Sequence, residues 1–224
     1  MRWGCRRLGP LAAEAGVLAV SAAVMLAGAR EARGDEGGDG AYGRVGGDLT
    51  FVAGLGGVVA PRGPRAEGEL RLRYLESAGI FAAYEDGASL GSAAEPGRVL
   101  AVGAEVRPLF LFRWLQGGET HRARTDLVVD SFGIELGAVW SQPAGQGFAS
   151  VAGVQAGLGL EVPLLLRATG PWLGLHGGVR WSDHALGAGV VESADDRSAF
   201  VAITLAWHQV VVAHVVDVGD QAPR

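Results

Sequence analysis

The chain has a single cysteine, Cys5, and no lysine among its 224 residues. Cys5 falls in a short basic N-terminal stretch, and no lipobox-like Leu-Ala-Gly run precedes it, so lipid attachment there is not expected. The rest of the chain is free of thiols, which excludes disulfides, zinc–cysteine sites and cysteine nucleophiles together. It also suits an oxidising compartment, where a free thiol is a hazard. That every basic residue is arginine reads as high-GC coding bias more than chemistry. A long apolar run is missing too: the stretch Gly16–Ala29 falls short of the roughly 20 residues that a spanning helix needs. No helix of ordinary length is evident in the body of the chain, which disfavours an alternating βα order and a parallel sheet.

What is present begins with a targeting pattern. Arg2, Arg6 and Arg7 precede the apolar stretch, and small-x-small cleavage options follow at Ala27-Gly28-Ala29 and Ala32-Arg33-Gly34. Residues 1–34 therefore read as a signal peptide, cleaved after Ala29 or Gly34. Cleavage after Gly34 removes 5 of 19 arginines and 2 of 24 acids, leaving 14 against 22, a formal charge of −8. That balance argues against nucleic acid, whose phosphates call for a basic footprint. Residues 35–47 are acidic and glycine-rich and read as a flexible entry segment. The body, 48–208, is one domain. Glycine, at 37 residues, is too frequent for a helical protein and lacks the collagen period.

Eight segments of the body are bounded by glycine, proline or polar clusters and alternate in polarity, which predicts eight strands. They run over about 48–59, 67–76, 80–85, 98–112, 127–140, 148–162, 171–182 and 198–208, with a tight turn at Ser77-Ala78-Gly79. Most reach the 9–11 residues of a tilted membrane strand. In the second, Leu70, Leu72 and Tyr74 share one face while Glu69, Arg71 and Arg73 share the other, because successive side chains on a strand point to opposite sides. The apolar face continues through Leu100, Val102, Ile134, Leu136, Leu158, Leu160, Leu173, Leu175, Val201, Ile203 and Leu205. Asp130 is the one charge expected there, near a strand start.

The simplest geometry for this pattern behind an export signal is all-β: an antiparallel up-and-down transmembrane β-barrel of eight strands, apolar face to lipid and charged face to the lumen. Large aromatics then gather in two girdles, with Phe51, Tyr74, Phe110, Phe112, Phe132 and Trp207 at the periplasmic rim and Tyr84, Trp140 and Trp181 at the other. The inward face carries Glu69, Arg71, Arg73, Glu105, Arg107, Glu135, Gln155, Glu161, His176, Arg180, Thr204 and His208. An eight-stranded barrel is only wide enough for side chains to fill, and buried charges must be paired. An ion-paired plug rather than a pore is expected.

On strand count, dyad alternation and charged lumen, residues 48–208 resemble the small outer-membrane barrels of the OmpA/OmpX type. The resemblance implies outer-membrane lipid and the barrel-assembly machinery as partners and a Gram-negative-type outer membrane as location. One departure stands out. Those families commonly end on an aromatic that closes the last strand, whereas Trp207 is followed by a tail whose residues 209–224 fit either a periplasmic amphipathic helix or a strand extension.

Catalytic and metal patterns are sparse. Trp181-Ser182-Asp183-His184 sets three catalytic residue types side by side, and outer-membrane lipid hydrolases use a serine and a histidine on a barrel's rim. Neighbours on an extended chain nevertheless point apart, and a triad is recognised by convergence. His121, with Arg122 and Arg124, reads as a solvated turn. His176 and His208 approach through the seam of the last two strands, with Glu135 or Glu161 as a possible third ligand, but hydrogen-bonded histidines suit two such residues better than a metal site does. Gly187-Ala188-Gly189 has no phosphate-loop lysine after it. The exposed loops are expected at Ala60–Ala66, Asp86–Gly97, Ser141–Gly147 and Asp183–Arg197, the last carrying Glu192, Asp195 and Asp196. No cofactor and no metal are expected. The reading is a non-catalytic barrel with a structural or surface-interaction role. The alternatives are a lipid-modifying hydrolase using Ser182 and His184, and a soluble periplasmic barrel around an apolar ligand.

Overall fold

Alternation of polarity over glycine-bounded segments produces eight strands: β1 (Leu49–Ala60), β2 (Gly63–Tyr74), β3 (Ala78–Asp86), β4 (Arg98–Val106), β5 (Gly133–Gln142), β6 (Gly153–Pro163), β7 (Gly170–Trp181) and β8 (Arg197–Val211). They come from a computed structural model that describes residues 43, 47–87, 96–118, 120, 122–143, 145–187 and 197–213. Each strand pairs antiparallel with the next, and β8 returns to pair with β1, closing an eight-stranded barrel. Closure leaves no unpaired strand edge. The seam is long: Leu49 lies opposite Val211 and Val59 opposite Val201. The signal-peptide reading of 1–34 and most of the 35–47 segment lie outside the described residues.

Several boundaries differ from the sequence expectation, each for a local reason. Ala60 pairs with Gly63, so β1 and β2 join through Pro61-Arg62 alone and Ala60–Ala66 is hairpin rather than loop. The next turn is centred on Leu75-Glu76, not on Ser77–Gly79. Both residues have positive φ (46° and 53°), and Ser77 N–H donates to Tyr74 O at 3.0 Å, the geometry of a type I′ hairpin without its usual glycine or asparagine.

The largest difference lies between β4 and β5. The strand expected to reach Phe112 stops at Val106, and the chain forms α1 (Pro108–Gln116) and α2 (Ala123–Asp130). Pro108 lacks the N–H a ladder needs and suits the first turn of a helix. The following Leu-Phe-Leu-Phe run is apolar at every position, so period two could not be told from period 3.6. Gly117, at φ 62°, supplies the left-handed residue that ends α1. Phe110 and Phe112 are therefore helical rather than strand residues, and Leu127–Asp130 belongs to α2 instead of opening β5. At the other terminus β8 continues three residues beyond His208, so Gln209–Val211 is strand extension opposite Leu49–Phe51. Residues 214–224 lie outside the described residues.

Three glycines make close packing possible inside. Gly103 and Gly137 face each other across β4 and β5, and a Cβ on Gly103 would stand 2.8 Å from the Phe81 ring. A Cβ on Gly159 would stand 2.7 Å from His176 Nδ1 and 3.2 Å from Glu135 Oε1. These positions keep volume free for large inward side chains.

Candidate functional site

The barrel interior is the most concentrated set of polar groups. Every second residue of β2 from Arg65 to Arg73 is charged, and strand alternation turns all five inward. Glu85 from β3, Glu105 from β4, Glu135 from β5, Gln155 and Glu161 from β6, His176 and Arg180 from β7, and Thr204 and His208 from β8 join them, all buried. Arg107, just past β4, and Glu76, from the strained turn, complete the set. The count is five arginines, seven glutamates and two histidines.

Arg71 is the hub. Its Nε donates to Glu69 at 2.9 Å, one terminal nitrogen donates to both Glu105 and Glu135 at 2.6 Å, and the other lies 3.2 Å from His176 Nδ1. Its guanidinium also sits over the Phe81 ring at 5.6 Å. Arg73 donates to Glu105 and, at 2.7 Å, to Glu161. Arg107 donates to Glu161 and, at 2.7 Å, to Glu76. A planar five-donor guanidinium can join several carboxylates in this way, which an ammonium cannot. The network thus links β2 to β4, β5 and β6 across the lumen. It brings together Glu69, Arg71, Arg73, Glu105, Arg107, Glu135, Glu161 and His176.

His176 shares its Nδ1 with Glu135 Oε1 at 2.9 Å. His208 stands 3.7 Å from Glu161 Oε2, with its ring stacked on Trp172 at 4.5 Å between centroids. The two histidines therefore serve different carboxylates. Among the described residues no group of three histidine, cysteine, aspartate or glutamate side chains could hold a metal ion.

Toward the end where β1 meets β2 the interior changes. Arg65 donates to Glu85 at 2.7 Å, and Arg180 donates to Glu85 and to Gln155, the latter at 2.7 Å, while lying 4.0 Å from the Phe200 ring centroid. Val58, Phe81, Val99, Ala101, Val139, Phe200 and Ala202 fill the remaining space in two apolar clusters. Arg65, Glu67, Glu76 and Glu85 were not in the set expected from sequence. Arg65 and Glu67 carry a legible signal, since they extend the alternation of β2 backward. Glu76 carries none, because its inward direction comes from a strained turn.

The opposite end is sealed. Phe110 of α1 is 2% exposed, and Leu127 of α2 packs with Ala168, Trp172 and Val210 across the barrel mouth. Trp172 Nε1 donates to Ala168 O at 2.9 Å, and the Ser131 hydroxyl accepts from Glu161 N–H at 2.8 Å, tying the end of α2 to β6. Asp130 is buried and receives a hydrogen bond from Arg113 at 2.7 Å, so it does not lie on the outer face.

Of the aromatics expected in girdles, Phe110 is buried and Phe112 is exposed on α1, while Tyr74, Phe132, Trp140, Trp181 and Trp207 are half-buried. Tyr84, Leu100 and Trp140 align across three neighbouring strands. The Ser182 hydroxyl accepts from Ala185 N–H at 3.2 Å and caps the short helix α3 (Asp183–Leu186). His184 lies in α3, and its side chain, like His121, Glu192, Asp195 and Asp196, falls outside the described residues. No family model matches this chain, and no curated protein does.

Proposed function

We propose that this protein is an exported outer-membrane β-barrel with a closed, ion-paired lumen and a structural or surface-interaction role, without catalytic activity. The observation that carries the reading is the outer face. Leu70, Ile80, Leu136, Ile203 and Leu205 are each more than half exposed, and the charges of the same strands are turned inward except Asp86 and Arg197 at strand ends. Water does not favour that arrangement, whereas lipid does, because a charge on a barrel's lipid face costs about 2–4 kcal/mol at the midplane. The strands are 9 to 15 residues long, enough to cross a hydrocarbon layer at a tilt. In this reading the partners are outer-membrane lipid and the assembly machinery that inserts barrels. The plugged interior, sealed by Phe110, Leu127 and Trp172, favours a closed scaffold over a pore.

Among the alternatives, a soluble barrel around an apolar ligand needs an apolar interior, and this one holds seven glutamates and five arginines. A rim hydrolase using Ser182 and His184 has no supporting geometry among the described residues, where the Ser182 hydroxyl serves as the acceptor that caps α3. The test is to express the full chain in a Gram-negative host, separate inner membrane, outer membrane and periplasm, and run each fraction on a detergent gel with and without boiling. Outer-membrane protein that migrates faster unboiled is the expected result. Soluble periplasmic protein without a heat shift would overturn the reading.

A further inference from the structure

The connection between β4 and β5 spends its polar groups on itself. Arg113 of α1 reaches both aspartates of α2, Asp126 and Asp130, and also donates to Gly118 O at 3.1 Å. Phe110 and Leu127 point into the barrel mouth. Among its described residues the hairpin leaves outside a mainly apolar surface, some neutral polar groups, and basic side chains. Leu109, Phe112, Trp114 and Leu115 are exposed on α1, Leu115 at 77%, and Arg122 and Arg124 are exposed at the start of α2. The β6–β7 turn repeats this combination at the same end of the barrel. There Leu164, Leu165 and Leu166 are exposed and followed by exposed Arg167, next to the Ala168 that packs on Leu127.

We propose that this end of the barrel is a lipid-interface anchor. The leucines and rings of α1 and of the β6–β7 turn enter the acyl boundary of the adjacent leaflet, and Arg122, Arg124 and Arg167 contact its anionic phosphate headgroups. Short amphipathic helices with aromatic and leucine residues on one side and arginine beside them lie in the plane of such an interface, where tryptophan is favoured. Charge selects the occupant. The two aspartates of α2 are buried and share Arg113, so the charge exposed among the described residues of α2 and the neighbouring turn is that of Arg122, Arg124 and Arg167, which matches an anionic headgroup layer. This inference rests on the outer-membrane reading and adds to it a defined contact with one leaflet.

The chain's single thiol makes the test clean. In the full chain carrying Cys5→Ser, Leu115→Cys is labelled with an environment-sensitive fluorophore, and Leu136→Cys on β5 is labelled separately as a belt reference. Both are refolded in vesicles of phosphatidylcholine alone and of phosphatidylcholine with one-third phosphatidylglycerol. The expected result is lipid-like emission at both positions, with quenching at 115 by headgroup-proximal spin-labelled lipid at least twofold stronger in the anionic vesicles. Charge reversal of Arg122, Arg124 and Arg167 to glutamate should abolish that difference and leave position 136 unchanged. Water-like emission at 115 with lipid-like emission at 136 would overturn the anchor and leave the membrane reading standing. Water-like emission at both would overturn the two together. Equal quenching in both vesicle types, unaffected by the charge reversal, would overturn the anionic specificity.

Discussion

The two halves of the lumen solve the burial of charge differently. Toward the helices, Arg71, Arg73 and Arg107 are shared among Glu69, Glu76, Glu105, Glu135 and Glu161, so that each guanidinium joins at least two strands or turns. Toward the β1–β2 hairpin, Arg65 and Arg180 converge on the one carboxylate Glu85, and aliphatic and aromatic side chains fill the rest. The first half is a cross-braced network, in which each member depends on the others. The second is an apolar core with one polar clasp. Charge balance alone does not explain the difference. The bracing sits where the barrel is sealed, beneath the helices and Trp172.

This contrast ranks the consequences of removing one cation. Arg71→Leu should be the most damaging single change, because it leaves Glu69 and Glu135 buried without a guanidinium. Breaking a buried pair from one side costs about 3–5 kcal/mol. The urea midpoint of the refolded, lipid-bound protein should fall accordingly, and Arg71→Lys should recover only part of it, since a point charge cannot span three carboxylates. Arg180→Leu should cost less, about 1–3 kcal/mol, because Glu85 keeps Arg65 at 2.7 Å. Equal losses for Arg71 and Arg180 would show that the two halves are not distinct.

Glu67 sharpens the comparison from the other side. It lies opposite Glu85 in the β2–β3 register, shares its face with Glu69, and its buried Oε2 has no hydrogen-bond partner among the described residues. Like charges opposed across a strand pair are destabilising. Glu67→Gln should therefore raise stability at neutral pH by about 1 kcal/mol, whereas Glu105→Gln, two strands away within the braced half, should lower it. A urea titration of both variants at pH 7 reads the sign of each change directly.

How much of this was legible follows the physics of each element. The barrel and the charged face rest on a period-two pattern repeated eight times, and repetition makes such a signal strong even where each strand alone is weak. The helical cap was not legible, because Leu109–Phe112 carries no polarity contrast to set a period and Pro108 was the only local cue against a strand. Glu76 was hidden because its direction depends on two residues with positive φ in a turn lacking glycine. Arg65 is readable by parity but lies before the expected start of the second strand at 67. Glu85 falls at the last residue of the expected third strand, where inward parity gives its face but a strand end gives no assurance of burial. Pairing was beyond the sequence in another sense. Alternation gives the face of Arg71, while the partners it meets depend on register and on which walls a guanidinium can reach.

The cap itself offers the smallest and most pH-sensitive effect. Burial works to raise the Asp126 carboxyl, but hydrogen bonds from Thr120 N–H at 2.9 Å and from its hydroxyl at 2.8 Å, together with the Arg113 guanidinium, outweigh it and hold the group below the ordinary aspartate value. A carboxyl with a depressed folded-state pKa contributes stability that is fully present above its unfolded value near 4 and is lost as pH falls through the folded value. Asp126→Asn should therefore cost about 1 kcal/mol at pH 6, and the gap between variant and parent should close as the pH is taken down through 4 toward 2. Lumen variants such as Arg71→Leu should remain far below the parent at pH 6, because their loss lies in the bracing and not in the cap. Thermal unfolding of parent and variant in the same lipid, at pH 6 and pH 3, measures the difference. A gap at pH 3 as wide as at pH 6 would mean that Asp126 acts through shape alone and that the hairpin is held by Arg113 and Asp130 without it.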